Sequence, residues 1–175
     1  ALQNNINAKS YIFDKEEYST ENLSQTHELL SLSLNETSTG IMCDKEKISD
    51  IRSKVNKSLI SLDCVSGLPS IPFNIKDVDT FYFSVQKCFG LPSGLGVWIY
   101  NDKCLDKYHE LKEKKITGTY HSLGRLHNMS LKNQTPETPN VLGIYVLSKV
   151  LEDMNNIGLE TIIRDTNYKS SLIYD

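Results

Sequence analysis

Two apolar runs of strand length, each closing on a charged group, constrain this chain most. Residues 59–62 (Leu59, Ile60, Ser61, Leu62) end in Asp63, and residues 81–84 (Phe81, Tyr82, Phe83, Ser84) lead through Val85 and Gln86 to Lys87. Runs this short, bounded by turn residues, read as buried strands. Gly90, Pro92, Gly94 and Gly96 then punctuate a loop. If the two runs are neighbouring parallel strands, Asp63 and Lys87 emerge at the same sheet edge, where open α/β sheets bind ligands. Burying an ammonium there is costly unless it is paired, neutralised or chemically used. One use suits the position: an imine to an aldehyde cofactor, formed by a lysine whose pKa is lowered by its site.

The rest of the chain supplies the frame. Leu30, Leu32 and Leu34 alternate across residues 28–34 and predict a strand, followed by a polar turn over 35–40. Asp44 is an N-cap for a helix carrying Ile48, Ile51 and Val55 on one face. Residues 67–75 hold two prolines and read as a loop. Residues 95–100 form a further strand. The connection from the strand at 81–84 is too short for a helical crossover, so this last strand is expected antiparallel. Asp102 is read as the cap of a helix with Cys104, Leu105, Tyr108 and Leu111 at helical spacing. Residues 118–136 lack periodicity and are expected to be an extended, exposed crossing segment. Thr138-Pro139 reads as an N-cap and N1 pair, opening a helix with Val141, Leu142, Tyr145 and Leu147 that runs to about Asn155. After Gly158, Leu159, Ile162, Ile163 and Leu172 mark a last amphipathic helix. Before all of these, Tyr11, Ile12 and Phe13 are read as a short strand and residues 14–26 as a loop. Strands alternating with helices predict an α/β fold with a mostly parallel sheet.

A length of 175 residues leaves room for one real core. A net charge of −3 gives no electrostatic case for nucleic acid or an acidic membrane surface. No run reaches the roughly 18 apolar residues of a membrane span, and no basic start leads into an apolar stretch, so no signal peptide is expected. Cys43, Cys64, Cys88 and Cys104 form no metal-type spacing and read as small buried thiols of a reducing, cytoplasmic compartment.

Five motifs then occur in one order: Asn35-Glu36-Thr37-Ser38-Thr39-Gly40, Asp63-Cys64-Val65-Ser66, Ser84-Val85-Gln86-Lys87, Gly94-Leu95-Gly96 and Thr135-Pro136-Glu137-Thr138-Pro139. Together they resemble the class V (fold type I) pyridoxal-phosphate aminotransferases, most closely the phosphoserine aminotransferase branch. The resemblance covers roughly residues 28–175. It implies part of a three-layer αβα large domain over residues 1–137, with helices over 138–175 leading towards a small C-terminal domain. It implies pyridoxal 5'-phosphate as cofactor, no metal, and a homodimer acting on a small amino acid and a 2-oxo acid. Phosphoserine is the first substrate expected.

Residue by residue, the resemblance implies that Lys87 holds the cofactor aldehyde and moves the substrate proton, and that Asp63 keeps the ring nitrogen protonated. Thr37 is expected at the phenolic oxygen. Gln86 is expected at the phosphate or ring oxygen, with Ser66 and Ser84 further phosphate candidates. Thr138 is expected at the phosphate of the partner subunit. Plainer roles stand beside these: a surface lysine for Lys87, a turn cap for Asp63, turn chemistry for Thr37 and a simple N-cap for Thr138. Glu137 departs from the family's usual asparagine and would repel a phosphate. Arg125 is either a substrate-carboxylate ligand or a solvated loop arginine. His121 and His127 share its segment, and His109 is expected to be exposed. Two other functions remain open from sequence: a cysteine desulfurase or lyase of the same fold, for which no cysteine is suitably placed, and a truncated, non-catalytic interaction module.

Overall fold

The computed structural model describes Leu23, residues 27–114 and residues 121–174. The expected strand at 11–13, and all of the expected loop over 14–26 except Leu23, lie outside these. Four strands form one sheet in the order β1 (Leu29–Ser33), β2 (Leu59–Asp63), β3 (Thr80–Ser84), β4 (Gly96–Tyr100). β1, β2 and β3 run parallel, and β4 pairs antiparallel with β3, as the short connection required. Among the described residues, five α-helices accompany the sheet: α1 (Lys45–Lys54), α2 (Asp102–Glu113), α3 (Leu123–Ser130), α4 (Val141–Ile157) and α5 (Leu159–Tyr174).

Alternation along the strands makes the core. Leu32, Leu34, Ile60, Leu62, Cys64, Phe81, Phe83 and Val85 are buried on one face, with Ile48, Ile51 and Val55 of α1 and Leu147 of α4 in the same cluster. Each such side chain removed from water contributes roughly 1.5–3 kcal/mol. Asp44 caps α1 as expected, its carboxylate accepting from Lys47 N at 2.9 Å.

Three helix starts or spans differ from the sequence reading. Asn101, not Asp102, caps α2, because its side chain accepts from Cys104 N. Asn140, not Thr138, caps α4, accepting from Gly143 N at 2.9 Å, so the helix begins after Pro139 and runs to Ile157. Within the segment expected to be extended, residues 123–130 form α3. Gly124 lets α3 press onto α2: a Cβ there would meet Tyr108 Cε1 at 2.2 Å. That contact is tertiary, which is why no periodic stripe announces the helix.

Candidate active site

Parallel pairing brings three strand ends to one edge. The ladder continues past the strands through Leu34 N to Asp63 O at 2.8 Å and Cys64 N to Tyr82 O at 2.9 Å. The turns after β1, β2 and β3, carrying Asn35–Thr37, Asp63–Ser66 and Gln86–Cys88, therefore lie side by side. This is the edge expected from the sequence, and Asp63 and Lys87 share it.

Asp63 closes β2 and is half-buried. Its Oδ1 accepts from Val65 N at 2.9 Å and its Oδ2 from the Tyr82 hydroxyl at 3.1 Å. The first contact is an Asx turn, the plainer role foreseen for this residue. It leaves acceptor capacity on both oxygens, since an ionised carboxylate offers about four lone-pair sites.

Lys87 differs from its expected setting. It stands three residues past the end of β3 and is exposed, and among the described residues its ammonium makes no ion pair. The loop carrying it is nevertheless pinned. Val85, Phe89 and Leu91 are buried, Phe83 and Phe89 stack with centroids 4.5 Å apart, Gly90 N donates to Lys87 O at 2.9 Å, and Leu91 N donates to Val85 O at 3.1 Å. Gly90 takes φ +70°, a left-handed conformation that suits glycine. The amine thus projects from a fixed platform. Gln86 beside it is exposed and Ser84 half-buried.

Ser66 joins two of the turns. Its hydroxyl donates to Asn35 O at 2.9 Å and accepts from Thr37 Oγ1 at 3.1 Å and, more weakly, from Asn35 Nδ2 at 3.4 Å. In this arrangement its proton is engaged with Asn35, so Ser66 places Thr37 rather than offering a donor to an anion. Cys88 reaches the same turn, its Sγ lying 3.8 Å from Ser66 O. All four cysteines are free, but only Cys43, Cys64 and Cys104 are buried. Cys88 is exposed, against the expectation of four buried thiols, because its turn faces away from the core that Val85 and Phe89 enter.

The remaining candidates lie elsewhere. Thr138 lines a shallow open hollow with Asn133, Gln134, Thr135, Glu137, Pro139 and Ile144. Its neighbour Asn140 would stand 3.8 Å from a Cβ at Gly94, so the start of α4 borders the loop that follows Lys87. Glu137 is paired with Arg125, Oε1 to Nη2 at 3.0 Å. The pair neutralises both the carboxylate that would repel a phosphate and the arginine considered for a substrate carboxylate. His127 Nδ1 lies 3.1 Å from the Tyr100 hydroxyl, and His109 and His121 are exposed. The sequence reading missed Tyr82: between Phe81 and Phe83 it reads as one more core aromatic.

The donor set fits pyridoxal phosphate: an amine and a tethered carboxylate at one sheet edge, with the Thr37 hydroxyl on the adjoining turn. Comparisons with known proteins identify the family. The family model Aminotransferase class-V matches residues 6–175. A phosphoserine aminotransferase of Rhodococcus opacus is 31% identical over 149 residues, covering 84% of this chain and 39% of that protein. One from Corynebacterium glutamicum is 33% identical over 144 residues, covering 81% of this chain and 37% of its own length. The crystal structure of a phosphoserine aminotransferase from Cytophaga hutchinsonii superposes with a TM-score of 0.85 at 40% identity, over 91% of this chain and 45% of that one. The chain therefore spans less than half the length of these relatives, and its fold is the corresponding part of theirs, as expected. With the family model matched almost from end to end, this chain belongs to the class V aminotransferases.

Proposed function

We propose that this chain forms part of a pyridoxal-phosphate-dependent aminotransferase that moves an amino group between phosphoserine and a 2-oxo acid. The observation that carries the reading is a carboxylate held at both oxygens and an exposed lysine on a pinned loop, both at the carboxyl edge of parallel strands. The relatives named as phosphoserine aminotransferases support phosphoserine as one substrate.

When bound, pyridoxal phosphate supplies an electron-accepting ring. Lys87 would hold its aldehyde carbon and then take the proton from the substrate Cα as a general base. Asp63 would keep the proton on the ring nitrogen, because a carboxylate there favours the charged form. Thr37, whose O–H is donated to Ser66 Oγ in this arrangement, would turn that proton to the phenolic oxygen of a bound cofactor, and Gln86 would donate an amide N–H to a phosphate or ring oxygen. Residues 1–137 would form the cofactor-binding unit and 138–175 the connecting helices. A homodimer is proposed with Thr138 serving the partner's phosphate. The exposed Val141, Leu142, Ile144 and Tyr145 at the start of α4 favour a covering surface there.

The test uses the full-length protein that contains this chain. Phosphoserine and 2-oxoglutarate should yield glutamate, and Lys87→Ala should abolish both turnover and borohydride trapping of cofactor. Turnover by Lys87→Ala at the wild-type rate would end the assignment.

A further inference from the structure

Tyr82 is an aromatic residue turned away from the core. Phe81 and Phe83 on either side are buried, whereas Tyr82 is 40% exposed on the other face of the sheet. The β2–β3 register places it directly beside Asp63. A phenylalanine would supply the same ring; what tyrosine adds is the hydroxyl, and that hydroxyl donates to Asp63 Oδ2 at 3.1 Å. Val65 N–H holds the other oxygen. With one donor on each oxygen, the carboxylate cannot swing about its Cβ–Cγ bond without breaking a hydrogen bond. Trp98, opposite Tyr82 on β4, does not compete, because its Nε1 donates to Thr80 Oγ1 at 2.6 Å.

We propose that Tyr82 is a positioning residue: its phenolic O–H fixes the Asp63 carboxylate in the orientation that receives the protonated ring nitrogen of pyridoxal phosphate. The proposal rests on the role given to Asp63 above. It draws support from the phenol's own titration. Burial first, then the Asp63 charge and hydrogen bond, push the Tyr82 pKa above its ordinary value, so the phenol stays a donor across the working pH range.

The test compares wild type, Tyr82→Phe, Asp63→Asn and the double variant of the full-length protein. The first readout needs no cofactor. With ¹³Cζ-tyrosine labelling, the resonance lost in Tyr82→Phe should titrate above the ordinary tyrosine range in wild type. It should move downward, though not fully back, in Asp63→Asn. The second is equilibrium affinity for pyridoxal phosphate. Tyr82→Phe should weaken it roughly tenfold, the worth of one hydrogen bond to a charged group. Asp63→Asn should weaken it at least as much, and the double variant no further than Asp63→Asn. Unchanged or tighter binding by Tyr82→Phe, with Asp63→Asn still weakened, would overturn the Tyr82 proposal and leave the Asp63 role standing. Additive losses, or a Tyr82 resonance indifferent to Asp63→Asn, would overturn it likewise. Unchanged affinity in Asp63→Asn would instead remove the parent reading.

Discussion

Asp79 shows how one residue can organise the end of the sheet opposite the site. It is 3% exposed at the start of β3. Its Oδ2 accepts from Ile60 N at 2.8 Å and from Arg52 Nη2, and its Oδ1 from Asn101 Nδ2 at 2.9 Å. Arg52 adds Asp77 O and Ser58 O, each at 2.9 Å. One carboxylate thus ties β2, β3, α1 and the cap of α2. Burial pushes its pKa up, but the hydrogen bonds from Asn101, Ile60 and Arg52, with the Arg52 charge, outweigh burial and hold it below the usual carboxylate range. Asp79→Asn should destabilise the fold by about 3 kcal/mol in urea unfolding, because one acceptor becomes an amide N–H facing donors while Arg52 stays buried. The pH sign follows from the lowered folded value. The ionised carboxylate's contribution is complete above the unfolded pKa of about 4 and is lost as pH falls through the lower folded one. The gap between wild type and Asp79→Asn should therefore narrow in acid. A gap that widened in acid would refute the assignment.

At the scale of elements, what was legible depended on whether the signal was local. β1, β2 and β3 announce themselves as apolar runs, α1 as a stripe behind Asp44, and the reversal of β4 as a connection too short to cross over. α3 does not, because its position depends on Gly124 meeting Tyr108 of α2, a contact no window of sequence contains. The start of α4 was misplaced because Thr138-Pro139 and Asn140 are both good openings, and the backbone used Asn140. Of the candidate site, the placing of Asp63 and Lys87 at one sheet edge was legible. The site was not legible in what surrounds that pair: the Ser66 link to the turn after β1 and the Tyr82 hydroxyl on Asp63 are contacts between neighbouring strands and their turns. The α2–α3 contact makes a prediction. Gly124→Val should destabilise by roughly 1–3 kcal/mol through overpacking, net of its better helix propensity. In the Tyr108→Ala background the same change should cost less. Thermal melts of the four proteins measure the cycle, and strict additivity would mean that α3 does not rest on Tyr108.

For the molecule as a whole, the thiols report how one core is closed around its site. Cys43 lies between β1 and α1, Cys64 at the end of β2 and Cys104 in α2, and all three are buried. Burial pushes Cys43 and Cys64 up to about 12 and raises Cys104 as well. At pH 8 a thiol with such a pKa is thiolate only about one part in ten thousand, and the thiolate is the reactive form. Cys88 is exposed on the turn that carries Lys87. A thiol reagent at pH 8 should therefore modify one cysteine promptly in the native protein and all four in denaturant. Cys43 and Cys64 should react together, at a rate that follows global unfolding, because both lie in the same buried cluster. Asp79→Asn should then speed the slow phase while leaving Cys88 unchanged, since Asp79 stabilises the core and does not touch the turn after β3. Mass spectrometry of the labelled peptides settles the count. Prompt labelling of Cys43 or Cys64 in native protein would mean that α1 opens independently of the sheet, and that the core does not close as one unit.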